Sequence, residues 1–551
     1  MNLFGKTFGL KSSEMARLEQ ISRRKILPNE ILPHDIAVLL TTLSSEIGRQ
    51  IGLLISREGE IYAILIGDNR ELLIPDLSQF RAIKRGLRGI RLVHTHIKNE
   101  PLSEDDLTDL AMLRLDLMVA IGVLPNGLPD LIYMAHLLPP NPEGKIYQVD
   151  PPVSIHQVDA SATAFLETIY AEFDAQVRMV TTQDKKERAL LISASVQSKI
   201  VQEESLEELA ELARSANLNP IESIVQRLHE LHPKFLLGSG KIKEVIMKAL
   251  QMQADLLIFN QTLTSLQTKA IGEVTEMKVL DRTALILDIF AQRAVTREAQ
   301  VQVELAQLRY RLPRLHERST SLSRLTGGIG GRGPGETRLE VDRRRTQDKI
   351  THLEKEMKTL SQGRTQRRTK RASQQIPVLS IVGYTNAGKS TLLNTLTKSD
   401  VKTENLLFST LDTSTRRLHF SREGVTTPAR VALLTDTVGF IEAIPPDLLD
   451  AFQSTLDELK DAHLLIHVVD IHSPRFEAHI QAVHDILNKL KIEKTGQVLV
   501  FNKIDLMDKE RAENLCKRYD AIGISALNSE TVRPLLLEIE KRVWQKKEKE
   551  K

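Results

Sequence analysis

The chain has 551 residues, 41% of them hydrophobic and 27% charged, with a formal net charge of +3. That length exceeds what one hydrophobic core organises, so three or more domains are expected. The small net charge excludes a global field as the means of holding nucleic acid and leaves only local patches. A single cysteine, Cys516, excludes an internal disulfide and a cysteine-rich zinc site, and reads as a small apolar residue in a reducing compartment. No apolar run reaches the ~18 residues of a membrane span. The segment from Met1 to Leu18 carries charges throughout and reads as no signal segment, so the expected location is the cytoplasm.

Residues 1–150 alternate short aliphatic strands with helical stretches, an α/β or α+β extension. Ile51–Ser56 and Ile61–Gly67 are expected to form a hairpin, Arg91–Val93 a further strand and Met118–Leu124 a core strand. The prolines at 139, 140, 142, 151 and 152 punctuate a boundary, and residues 151–184 read as a linker.

Residues 185–293 read as a small α/β domain. A strand at Ala189–Ser195 precedes a helix at Ser205–Ala216 with Leu206, Leu209 and Leu212 on one face; a glycine turn at Phe235–Gly240 leads into a helix at Ile242–Gln251 and a buried strand at Ala254–Asn260. Strands alternating with helices imply a mostly parallel sheet. In residues 294–362, Val301, Leu305, Leu308 and Leu312 recur at helical spacing, as do Thr346, Ile350, Leu353, Met357 and Leu360. Two such seams describe a solvent-facing antiparallel hairpin arm, with a glycine-rich loop at 327–335 between them. Residues 363–376 read as a basic linker, and residues 377–551 again alternate strands and helices.

The last segment carries the chemistry. The apolar strand Val378–Val382 runs into Gly383-Tyr384-Thr385-Asn386-Ala387-Gly388-Lys389-Ser390, followed by Thr391 and a helix through Leu392, Leu393 and Leu396. Glycines let backbone N–H groups curl around phosphate oxygens, and the helix adds its positive end. Lys389 would reach the β- and γ-phosphates and Ser390 would ligate Mg²⁺. A phosphate loop alone says only nucleotide.

The base is chosen further on. Asn502-Lys503-Ile504-Asp505 follows an apolar strand, and the Asp505 carboxylate can accept from guanine N1–H and the exocyclic amine together, donors that adenine lacks there. Ser525-Ala526-Leu527 fits a final guanine-contact loop. Asp436-Thr437-Val438-Gly439 ends another strand, with Asp436 expected to hold Mg²⁺ through water and the Gly439 N–H to touch the γ-phosphate. Thr410 is the expected switch threonine on the Mg²⁺ side, with Thr413 and Thr415 as substitutes. Lys389, Thr410 and Gly439 are therefore the residues expected to act on the reacting phosphate. The residue after the switch glycine, often a glutamine that orients water, is Phe440; it cannot hydrogen-bond water, so slow unassisted hydrolysis is expected.

The run Leu322-Ser323-Arg324-Leu325-Thr326-Gly327-Gly328-Ile329-Gly330-Gly331-Arg332-Gly333-Pro334-Gly335-Glu336-Thr337, with Leu339–Arg344, Asp436–Ile441 and Ala451–Leu456, resembles the HflX family of ribosome-associated GTPases over about residues 185–551. The resemblance implies a partner in the large ribosomal subunit and its 23S rRNA, and a part in splitting or rescuing stalled ribosomes. It also implies that the glycine-rich loop enters the peptidyl-transferase region. The arginines at 324 and 332, and those along the arm at 309, 311, 314, 343, 344 and 345, suit close approach to RNA phosphates. Some members bind ATP in the α/β domain, which here would involve Lys234, Gly238, Gly240 and Lys241. A monomer is the expected state. Where members of the family often add a small terminal domain, only a helix at Val532–Trp544 follows the guanine loop.

The extension departs from that family. His94-Thr95-His96 with Ser103 and Asp106 resembles the metal site of JAB/MPN-type metalloproteases. Two histidines at i and i+2 on a strand point the same way and could hold Zn²⁺ with Asp106. The spacing from His96 to Ser103 is one residue short of that pattern, and the upstream glutamate, for which Glu46 and Glu58 are the candidates, has no clear place. The favoured reading is therefore a metal-free relative of that fold, or unrelated surface histidines. Two rival functions remain: a nucleotide-gated general RNA-binding or remodelling protein, and a metallo-hydrolase with a regulatory GTPase domain.

Overall fold

A computed structural model of the chain describes residues 2–316, 338–372, 376–397, 414–420, 430–436, 439–440 and 457–545, apart from 29, 76, 78–79, 81–85, 140, 142, 159–164, 166, 174, 176–185, 276 and 493–494. Thr410, Thr413, Thr437, Val438, the glycine-rich loop and the Ala451–Leu456 run lie outside the described residues. The architecture is mixed α/β, built on three sheets with parallel strand pairs in each.

The first sheet has eight strands, β1 (Leu3–Gly5), β2 (Ile51–Ser56), β3 (Ile61–Ile66), β4 (Ile90–His96), β5 (Leu117–Val123), β6 (Pro129–Leu137), β7 (Tyr147–Val149) and β8 (Val153–Ser154). The order is β1-β3-β2-β4-β5-β6-β7, with β8 against β6. β2 and β3 pair antiparallel as the expected hairpin, whereas β4 and β5 are parallel. Parallel neighbours need a crossover, and helix α3 (Glu104–Met112) supplies it; α1 (Ser12–Ser22) and α2 (His34–Ile47) pack elsewhere on this layer. The domain does not stop at residue 150. Ser154 pairs with Leu131, and Ile155, Val158 and Ile169 are buried in its cores, so the prolines mark an edge connection within the domain, not its boundary.

The second sheet is wholly parallel, in the order β10 (Asn219–Arg227), β9 (Arg188–Ser195), β11 (Leu256–Phe259), β12 (Lys278–Asp281). Its helices are α4 (Lys199–Ser215), α5 (Ser239–Gln251), α6 (Ser265–Thr275) and α7 (Arg282–Arg293). α4 begins six residues before the expected Ser205 because Ser198 caps it, accepting from the Val201 N–H. The strand β10, with Pro220 near its start, is not among the expected elements. Proline is tolerated there because β10 is the sheet edge, and the register shifts between Pro220 and Glu222.

Helices α8 (Arg297–His316) and α9 (Arg338–Ala372) pack as a pair through Val301, Leu305, Ile350 and Leu353. Two expectations change here. The face of α8 carrying Ala299, Val303 and Ala306 is buried in the core of the α/β domain, so this part of the arm is not wholly solvent-facing. The backbone of α9 also stays helical through residues 363–372, which read as linker; the Arg, Gln and Lys residues there are good helix formers and outweigh the single Gly363.

The third sheet runs β14 (Ser414–Phe420), β15 (Arg430–Asp436), β13 (Val378–Gly383), β16 (Leu464–Asp470), β17 (Gln497–Asn502), β18 (Ile522–Gly523), parallel except for β14. α10 (Lys389–Thr397), α11 (Phe476–Lys489), α12 (Lys509–Tyr519) and α13 (Arg533–Glu540) accompany it. α13 is shorter than the expected helix; a π turn over Lys541–Gln545 carries Trp544 onto Phe420, ring centroids 5.1 Å apart.

Candidate functional site

β13, β15, β16 and β17 all end at one edge of the third sheet, and in a parallel sheet that edge is where ligands bind. The loop 383–388 leaves β13 there, and α10 starts at Lys389. Gly388 sits at φ +89°, and a Cβ on it would lie 2.2 Å from Asn502 Nδ2, so side-chain-free backbone is required at this point.

The loop is tied down by Phe440 and Asn502. The Thr385 N–H donates to the Phe440 carbonyl at 2.8 Å, and the Phe440 N–H returns a bond to the Gly383 carbonyl at 3.1 Å. Asn502 Nδ2 donates to the Ala387 carbonyl at 2.8 Å, while Asn502 Oδ1 accepts from the Ala526 N–H at 2.8 Å. The glycine loop after β13, the Asn502 loop and the Ala526 loop are thus one hydrogen-bonded unit. Thr395 adds a bond to the Ala526 carbonyl at 2.6 Å.

Lys389 is buried, and its Nζ donates to the Tyr384 carbonyl at 2.7 Å. Burial lowers its pKa to about 8 against the opposing pull of Asp436, so the ammonium is retained at neutral pH. Ser390 Oγ donates to Asp436 Oδ2 at 2.7 Å, both residues being buried. A hydroxyl and a carboxylate paired at the foot of a phosphate loop are the oxygen donors that Mg²⁺ takes. Gly439 closes the site: a Cβ there would stand 2.7 Å from Thr385 Cγ2 and 3.1 Å from Lys389 Nζ.

Not every expected residue lies in the cluster. Asp505 is exposed on a 3-10 turn at Ile504–Leu506, and Leu527 is also exposed. Lys503 takes a left-handed conformation at φ 65° and pairs with Asp470 at 2.6 Å. Thr415 lies within β14 with its Oγ1 3.4 Å from that of Thr435. Phe440 is buried in a hydrophobic core beside Tyr384 and Leu459, so it packs and cannot order water. Sequence reasoning missed Asp470, Glu208 and His479, which hold Lys503 and Tyr384; their only local signal was Asp470 at the end of an apolar strand.

The α/β domain offers the ATP expectation no support. A Cβ on Gly238 or Gly240 would meet nothing within 4 Å, Lys241 pairs with Glu244, and Lys234 lies over the Phe235 ring, 5.0 Å from its centroid.

In the extension, His94, His96 and Asp106 do converge. Their ligand atoms lie within 4.8 Å of one another. The two Nε2 atoms are 2.9 Å apart, and Asp106 carboxylate oxygens stand 3.3 Å from His94 and 3.4 Å from His96. The Glu100 carbonyl lies 2.9 Å from His96 Nδ1 and fixes that ring. Burial pushes the His94 pKa down; at His96 burial is outweighed by Asp106 and the Glu100 carbonyl, and the net shift is upward. Ser103 and Asp106 also form the capping box of α3, which gives this pair a structural role of its own. Glu46 pairs with Arg17 at 2.5 Å.

A parallel sheet with a phosphate loop, a buried lysine, a serine–aspartate pair and a bound-in Asn-Lys-x-Asp loop defines a P-loop GTPase, an enzyme that hydrolyses GTP. Family models match residues 203–291 (GTP-binding GTPase N-terminal), 293–371 (GTP-binding GTPase middle region) and 378–503 (50S ribosome-binding GTPase). A GTPase HflX of Caldanaerobacter subterraneus subsp. tengcongensis is 45% identical over 363 residues, 66% of this chain and 82% of that protein. The GTPase HflX of Escherichia coli is 41% identical over 305 residues, covering 55% and 70%. A solved GTP-binding protein of Sulfolobus solfataricus with GDP is 26% identical at a TM-score of 0.37, over 65% of this chain and 99% of that one. The chain belongs to the HflX GTPase family. Among the described residues, no helix is long and apolar enough to cross a membrane.

Proposed function

We propose that this GTPase binds the large ribosomal subunit in its GTP state, through 23S rRNA, and releases it on hydrolysis, in ribosome splitting or rescue. Residues 383–391, 436–439, Asn502, Lys503, Asp505 and 525–527 bind GTP, with Mg²⁺ held by Ser390, Thr410 and, through water, Asp436. The metal neutralises phosphate charge. Lys389 balances the rest, and the Gly439 N–H meets the γ-phosphate.

One observation carries the reading: Tyr384 and Phe440, on the phosphate loop and just after the switch glycine, share a hydrophobic core with α4, α7 and α8. A change of nucleotide at Gly439 therefore presses on the domain that carries the helical arm. Bistable packing of that kind turns a local charge change into a movement of domains. The family description as 50S ribosome-binding supports the choice of partner. The test is co-sedimentation of the full chain with isolated large subunits in GDP or a non-hydrolysable GTP analogue. Retention confined to the analogue supports the reading; equal retention, or equal binding to unrelated RNAs, favours the general RNA-binding alternative.

The convergence of His94, His96 and Asp106 supports a second reading, in which the extension holds one transition-metal ion. Two imidazoles and a carboxylate suit Zn²⁺, and the Glu100 carbonyl would orient the His96 ring. Elemental analysis of the full chain, against His94→Ala, checks it. One zinc per chain lost in the variant supports the site; wild-type protein without metal after zinc incubation leaves the cluster a capping and packing feature.

A further inference from the structure

Glu204, Glu208 and Glu211 are spaced by four and three residues and so share one face of α4. On its other side Leu206, Leu209, Leu212 and Ala213 are buried in the core. Each glutamate faces a different segment of the GTPase domain. Glu204 lies 3.5 Å from Arg475, which opens α11. Glu208 Oε1 accepts from the Tyr384 hydroxyl, in the phosphate loop, at 2.8 Å. Glu211, nearer the surface, lies within electrostatic reach of Lys503 in the guanine loop.

Glu208 is the pivot. Its side chain is 11% exposed and stands 2.9 Å from Arg282 Nη2, itself 9% exposed. Arg282 Nη1 donates to Asn260 at 3.0 Å, and Asn260 donates to Ser205 at 2.8 Å. On the other side, the Tyr384 ring stacks on His479 with centroids 3.9 Å apart, and its carbonyl holds Lys389. A continuous chain of polar contacts, Asn260–Arg282–Glu208–Tyr384–Lys389, joins the interior of one domain to the phosphate-binding lysine of another.

We propose that Glu208 is a positioning residue for GTP: acting through Tyr384, it holds the phosphate loop in its nucleotide-ready shape and links docking of α4 to occupancy of the site. A hydroxyl donating to a part-buried carboxylate is among the stronger neutral–ionic hydrogen bonds. Releasing it lets the loop spend time in shapes that do not bind, and apparent affinity falls with the competent fraction. The inference rests on residues 383–390 being the phosphate loop, and not on the ribosomal partner.

The test is stopped-flow dissociation of a fluorescent GDP analogue from the full chain, with melting temperature recorded alongside. Glu208→Gln and Tyr384→Phe are each expected to speed dissociation about 3–10-fold, and the double variant no more than the larger single effect, because the two form one link. Glu203→Gln, at a surface pair with Lys199, is the neutral control. Wild-type dissociation in both single variants, or multiplied effects in the double variant, overturns the proposal even if melting falls. If Glu208→Gln does not fold, Tyr384→Phe decides alone, since it leaves Glu208 with Arg282. A failure of the phosphate-loop assignment itself shows separately, as undiminished binding by Lys389→Ala.

Discussion

Asn502 donates its side-chain amide to the carbonyl of Ala387 at 2.8 Å, so the loop after β17 and the glycine loop after β13 are fixed to each other. The same side chain accepts from the Ala526 N–H, and all three residues are buried. Asn502→Ala leaves a buried carbonyl and a buried N–H without partners, each costing about 1–3 kcal/mol. GTP and GDP affinity should both fall by about 10–100-fold, measured by titration calorimetry, with no change in the preference for guanine over adenine.

The proposed reader of the base is Asp505. A carboxylate there would accept from both guanine donors, whereas an amide would accept one and donate one. Asp505→Asn should therefore lose GTP and gain XTP, whose 2-oxo group replaces the exocyclic amine. Competition between the two nucleotides reads this directly. Undiminished GTP preference would remove Asp505 from base recognition.

Gly439 is constrained by contact, not by backbone angle. Its missing Cβ would press on Thr385 Cγ2 at 2.7 Å and crowd Lys389 Nζ at 3.1 Å. Gly439→Ala should slow turnover by at least about 10-fold, since even small displacements at the reacting phosphate are costly, while GDP affinity changes little. Single-turnover kinetics separate the two.

His467, on β16 beside the phosphate-loop strand, is buried, and its Nδ1 accepts from Gln497 at 2.7 Å. Burial, with His484 and Lys389 adding to it, lowers its pKa to about 3. Unfolded, it titrates near 6.5, so between these values the unfolded chain binds the extra proton. Its contribution to stability is complete above about pH 6.5 and drains as the pH falls towards 3, at up to about 1.4 kcal/mol per pH unit. Thermal melting from pH 7 to 4.5 should show an acid limb that His467→Gln flattens.

The strand-and-loop segments at 378–388 and 497–505 were legible in the sequence because each is a local pattern, an apolar strand followed by residues with fixed backbone or hydrogen-bonding duties. The convergence of His94 and His96 was legible for the same reason, through the two-residue repeat of a strand. Contacts between distant segments were not. Tyr384 and Glu208 lie 176 positions apart, and nothing near either residue marks the other. The strand at Asn219–Arg227 was hidden by Pro220, whose missing donor matters only in a sheet interior. The run of helix to Ala372 was hidden by charge, which reads as linker although the side chains favour helix.

On the function proposed above, nucleotide hydrolysis answers to the ribosome. Phe440 is packed into the core and supplies no group to orient water, so the chain alone should turn over GTP slowly. The most direct measurement is GTP turnover by the purified full chain with and without large ribosomal subunits, using Lys389→Ala as the inactive reference. A low basal rate that rises many-fold with subunits and vanishes in the variant is expected. A rate indifferent to subunits would contradict it.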